Sequence, residues 1–170
     1  MSHAVPSRRT FRFRTATVGL LVPLTVFLSS TSAMGQSTGR APSAANACAL
    51  LTPDDIAKAA NVKVGTGEAG QPIPGVLGRC TWSGTGSTKV IVTLTDTSHM
   101  ETTIAAEMAS GGNAVSGIGS KAVANRAAAM AGGYVLSAID AKGGFGVSLL
   151  GKEGTQELVV ALAKLVAGKR

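Results

Sequence analysis

The chain has 170 residues, 16 Lys+Arg against 9 Asp+Glu, 22 Gly, 2 Cys and few aromatics. That length fits one ordinary domain, and 45% hydrophobic with 15% charged residues excludes a disordered chain. No uninterrupted apolar run reaches the roughly 18 residues of a spanning helix. Two cysteines exclude a dense disulfide scaffold and a four-cysteine zinc site.

Residues 1–15 carry Arg8, Arg9, Arg12 and Arg14 and no acid, Ala16 to Leu28 is mainly apolar, and Ser29 to Ala33 is small. A basic stretch, a short apolar stretch and a small-residue end make a secretory signal peptide over residues 1–33, cleaved after Ala33. Pro23 and the shortness of the apolar stretch disfavour an anchor helix. Ser7-Arg8-Arg9-Thr10-Phe11 resembles a twin-arginine export signal, which implies export in the folded state; a general secretory signal accommodates the same residues. Cys48 lacks a lipobox, with Ala45-Asn46-Ala47 before it, so no acylation is expected and no membrane span remains after cleavage. The leader takes four of the sixteen basic residues, leaving twelve against nine, a net charge of +3. Localisation is therefore expected to be periplasmic or extracellular.

Residues 34–47, small and polar, read as a flexible lead-in to a single domain over 48–170. Leu51-Thr52-Pro53-Asp54-Asp55-Ile56 is a helix start, with Thr52 as cap, Pro53 at the first turn, two acids at the positive end of the helix dipole, and Leu51 stapling Ile56. That helix is expected to end near Ala60 or Asn61. Capping accounts for Asp54 and Asp55 better than an acid/base or metal pair does. Val62 to Val64 reads as a short strand and 65–78, with five Gly and two Pro, as a loop. Strands are expected at Arg79 to Ser83 and Lys89 to Thr95, where Val90, Val92 and Leu94 alternate with Lys89, Ile91, Thr93 and Thr95. Met100 to Ala109 reads as a helix ended by Gly111-Gly112, with Met100, Ile104 and Met108 on one face. Val115 to Ala124 follows as a loop with a short strand. Tyr134 to Ala141 and Phe145 to Leu150 form a hairpin, and Thr155 to Val166 is a last helix with Leu158, Val159, Leu162, Leu165 and Val166 as its stripe. The expected fold is α+β: an antiparallel sheet covered on one face by helices, in the order α-β-β-β-α-β-β-β-α.

Cys48 and Cys80 both lie in the exported part, where an oxidising compartment favours their pairing as a structural disulfide. Ala47-Cys48-Ala49-Leu50-Leu51-Thr52-Pro53-Asp54-Asp55-Ile56, then Arg79-Cys80-Thr81-Trp82, then Gly117-Ile118-Gly119-Ser120-Lys121-Ala122 form a spaced pattern. It resembles a family of exported bacterial domains of unknown function, many of them lipoproteins in actinobacteria, related to extracytoplasmic sensor-like domains on serine/threonine kinases. The resemblance spans about residues 47–165. It implies a Cys48–Cys80 disulfide and a mixed sheet-and-helix fold, and brings no catalytic residues. The missing lipobox departs from the lipoprotein members.

Two motifs mimic nucleotide sites. Gly65-Thr66-Gly67-Glu68-Ala69-Gly70 matches G-x-G-x-x-G, but Pro72 and Pro74 forbid the helix it needs. Gly146 to Lys152 matches seven P-loop positions, but Glu153 replaces the Mg²⁺-binding hydroxyl. No cofactor or metal is expected, and a soft metal site at His99, Met100 and Met108 is disfavoured against core methionines. The small net charge, with no basic cluster beyond Lys169-Arg170, argues against nucleic-acid binding. The leading expectation is a non-catalytic binding or interaction domain of the bacterial envelope, taking a protein, peptide or small ligand. The alternative is a small periplasmic hydrolase-like enzyme using His99 with Asp96, Glu101 or Asp140.

Overall fold

A computed structural model describes residues 45–71, 73–127 and 132–170. The expected leader, residues 1–33, and all but the end of the lead-in lie outside the described residues. The chain runs α1 (Ala45–Cys48), α2 (Pro53–Ala60), β1 (Glu68–Ala69), β2 (Val76–Ser83), β3 (Lys89–Thr95), α3 (Thr97–Ala109), β4 (Asn113–Ala114), β5 (Lys121–Arg126), β6 (Gly133–Asp140), β7 (Gly143–Leu150) and α4 (Gln156–Lys169). The strands make one antiparallel sheet in the order β1-β2-β3-β7-β6-β5-β4. This is the α+β architecture expected from the sequence, closed by the Cys48–Cys80 disulfide with a Cα–Cα distance of 5.0 Å.

Local chemistry fixes the elements. Thr52 and Asp55 form a full capping box on α2: the Thr52 hydroxyl accepts from the Asp55 N–H at 3.1 Å, and the Asp55 carboxylate accepts from the Thr52 N–H at 2.8 Å. Leu51 and Ile56 are both buried, as the staple requires. Asn61 ends α2 in the left-handed conformation at φ 53°. Asp96 caps α3 and Thr155 caps α4.

Some boundaries differ from expectation. The end of the lead-in, Ala45–Cys48, is helical. Val62 to Val64 is reduced to one bridge, Val64 to Gly84. The Gly-rich loop contains β1 and yields to β2 at Val76, because backbone pairing with β3 extends past the first apolar residues. The stretch Val115 to Ala124 opens into β5, which runs on to Arg126.

Residues in register share a face, so the ladders sort the side chains. Cys80, Trp82, Val90, Val92, Phe145, Val147, Leu149, Leu136, Ala138, Ala122 and Ala124 point to one face. There Leu51, Ile56 and Ala60 from the α2 region join Val159, Leu162, Ala163 and Val166 of α4 in the main core. The expectation of helices on one face only is corrected here: α3 goes to the reverse face, where Met100 and Ile104 pack on Val123 and Ile139, so helices lie on both faces of the sheet. Only one residue, Asp96, separates β3 from α3, and Gly144 leaves room for Met100 beside Thr95. Covering both faces explains why Ala122, Val123 and Ala124 of β5 are buried consecutively, whereas β2 and β3 alternate.

Candidate functional site

On the reverse face α3 crosses β7, β6 and β5. Two rows of side chains run across this face from β2; among the described residues α3 packs on β5, β6 and β7 and meets the second row at Ser137. One row is Thr81, Ile91, Ser148 and Val135; the other is Arg79, Thr93, Gly146 and Ser137. All except Ser137 are half-buried. Apart from Arg79, whose stem lies against Gly70, these side chains are short or branched at Cβ, and Gly146 adds none.

The wall is a stripe of α3. His99, Thr103 and Glu107 recur every four residues, so they line one side of the helix. The His99 ring lies against Gly75, just ahead of β2, with Nδ1 2.8 Å from where a Cβ on Gly75 would stand. Thr103 donates its hydroxyl to the His99 carbonyl at 3.0 Å. Glu107 Oε1 accepts from the Ser137 hydroxyl at 2.9 Å, and Asn125 Nδ2 donates to the Ser110 hydroxyl at 2.8 Å. These bonds fasten the end of α3 to β5 and β6. Partial burial pushes the Glu107 carboxyl above the usual Glu range, while the Ser137 hydrogen bond opposes that rise. Its Oε2 is buried with no hydrogen-bond partner among the described residues.

The sheet edges offer less. The outermost strands β1 and β4 are two residues each, and each pairs with only part of its neighbour. Such short edges blunt strand addition.

His99 does not gather the carboxylates weighed for it. The Asp96 carboxylate accepts the His99 backbone N–H at 2.7 Å as a helix cap. Asp140 pairs with Arg170 at 3.5 Å and accepts the Lys142 N–H at 2.8 Å, on the α4 side of the sheet. Glu101 is exposed on α3. Met100 is buried as expected of a core methionine, but Met108 is 47% exposed, because α3 has passed the apolar part of the sheet by its last turn. Among the described residues no group of three or more His, Cys, Asp or Glu is placed to hold a metal ion.

The two nucleotide-like motifs have structural uses. A Cβ on Gly67 would stand 2.6 Å from Trp82 Nε1 and 2.8 Å from Cys80 Sγ, so this glycine lets the loop close over the disulfide. Gly146 to Leu150 belong to β7, flanked by β3 and β6, and Glu153 accepts from Thr88 at 3.2 Å. The sequence signals the Glu107–Ser137 bond only by a Glu three residues after Ile104, on a helix whose partner strand lies thirty residues on. Comparison with protein-family models, curated proteins and solved structures gives no match.

Proposed function

We propose that this protein is an exported, non-catalytic binding module of the bacterial envelope and that its partner, an envelope protein or peptide, docks on the reverse face beside α3. The observation that carries this is the row Thr81, Ile91, Ser148 and Val135, a band of half-buried side chains on the face where, among the described residues, α3 packs on β5, β6 and β7. Short, branched residues with interspersed hydroxyls suit an extended or helical protein surface. The basic, apolar and small-residue order of residues 1–33, the disulfide, and the pattern shared with exported domains support export. Among the described residues no helix is long and apolar enough to cross a membrane. The enzyme alternative has His99 without a gathered carboxylate, which favours the binding reading.

A photo-crosslinker at Ile91, compared with one at Lys164 on the other side of the sheet, tests the docking face in cells. The expected result is one discrete product from position 91 only, abolished by Thr93→Arg. Equal or absent products at both positions would refute it. Export is checked by mass spectrometry of the cell-envelope fraction: a mature chain starting at Met34 supports the leader, and an intact chain in the cytoplasm sinks it.

A further inference from the structure

The two sulfurs of the Cys48–Cys80 bridge stand in different surroundings. Cys80 is fully buried in the middle of β2, in register with Ala69 of β1 on one side and Val92 of β3 on the other. Gly67 lies over its sulfur: a Cβ there would stand 2.8 Å from Cys80 Sγ and 2.6 Å from Nε1 of the buried Trp82. The loop ahead of β1 therefore shuts this sulfur in against the main core. Cys48 is the last residue of the four-residue α1, is half-buried, and precedes the exposed Ala49. Buried Ala47 and Leu51 anchor the chain on either side of it. Cys48, Ala49 and Leu50 form the outer turn between those anchors, closed by the Leu50 N–H donating to the Ala47 carbonyl at 3.3 Å. The chain has two cysteines and both are in this bridge, so any thiol that opens or closes it meets one of these two sulfurs first.

We propose that Cys48 is the exchange site of the bridge, the sulfur at which a dithiol–disulfide oxidoreductase forms its mixed disulfide with this protein. In the closing direction the Cys48 thiolate attacks the disulfide of the oxidised partner. A bond forms between Cys48 Sγ and one partner sulfur, and the other partner sulfur leaves as a thiolate. The Cys80 thiolate then attacks Cys48 Sγ, which forms the bridge and expels the first partner sulfur. This protein has given up two electrons and two protons, and the partner carries them away as a dithiol. Opening runs the same steps backwards: an incoming thiolate bonds to Cys48 and Cys80 leaves. Exchange rates depend on which sulfur is attacked and on access to it. Approach to Cys48 comes from the outer turn and leaves the sheet intact. Approach to Cys80 requires the Gly67 loop to lift, and the free energy of that local opening slows it.

The test uses the full chain with its bridge intact. Reduced glutathione is added, free thiols are trapped at early times with N-ethylmaleimide, and peptide mass spectrometry locates the two labels. The expected product carries glutathione on Cys48 and maleimide on Cys80, in about tenfold excess over the reverse arrangement. In guanidinium the two arrangements should become comparable, because burial no longer separates the sulfurs. Single variants read the closing direction with oxidised glutathione. Cys80→Ser, which keeps the Cys48 thiol, should form its mixed disulfide about tenfold faster than Cys48→Ser, and the difference should vanish in guanidinium. Where a variant has lost its fold by circular dichroism, the intact chain alone decides. Glutathione mainly on Cys80, an even split, or no adduct at either cysteine of the folded chain overturns the proposal. None of these outcomes bears on the reverse face, because glutathione reads only which sulfur reacts.

Discussion

Reduction of the Cys48–Cys80 disulfide should cost this fold a large share of its stability. The bond joins residues 32 apart, so it closes a loop of about 33 residues. In the chain-entropy description the unfolded state then loses about 12.5 cal/mol/K, or about 3.7 kcal/mol at 25 °C. A domain of this size stands only about 5–15 kcal/mol above its unfolded state. At about 3–6 °C per kcal/mol, the reduced chain should melt roughly 10–20 °C lower. The contacts add to this: Cys80 is fully buried beside Trp82 and Gly67, and the bridge ties α1 to β2. Thermal melts by circular dichroism, with and without a phosphine reductant, read the shift without altering a side chain. Cys48→Ala, Cys80→Ala and the double variant should then fall close together, because the first substitution already removes the cross-link. If reduction moves the midpoint by less than about 3 °C, or if the two single variants add, the argument fails.

Three further perturbations follow from particular contacts. Gly144→Ala would place a methyl against Met100 and Thr95 Oγ1 and prise α3 from the sheet; a loss of about 1–3 kcal/mol in urea unfolding is expected, and an unchanged midpoint would count against the packing described. Asp55→Asn removes the capping-box carboxylate and the Lys169 pair, and should lower stability by about 1 kcal/mol at neutral pH. Because the folded-state pKa of Asp55 is depressed, that contribution is present above the unfolded value near 3.8 and disappears as pH falls below it, so wild type and variant should converge in acid. Glu107 has the opposite sign: its raised pKa means the folded chain binds the proton more tightly, so stability declines as pH rises from about 4.5. Glu107→Gln should remove that decline in urea midpoints measured between about pH 4 and pH 7, and a parallel pH profile for the variant would show that burial does not govern this carboxyl.

The sequence by itself determined what depends on neighbours in the chain. Thr52, Pro53 and Asp55 specify the start of α2 because cap and first turn lie within four residues. Val90, Val92 and Leu94 announce a half-buried strand because alternation is a local property of the pleat. The pairing of two cysteines followed from their number and from the export expected of the leader. Tertiary structure decided the rest. Nothing in the periodicity of Thr97–Ala109 shows which face of the sheet it meets; a one-residue connection after Thr95 and the missing side chain at Gly144 settle that. The same placement sets α3 on β5, β6 and β7 and turns Glu107 from a helix-surface acid into a partner of Ser137, thirty residues away. Caps and alternation are written within a few residues, whereas a binding surface is a juxtaposition across the sheet, made by packing energies that no single segment carries.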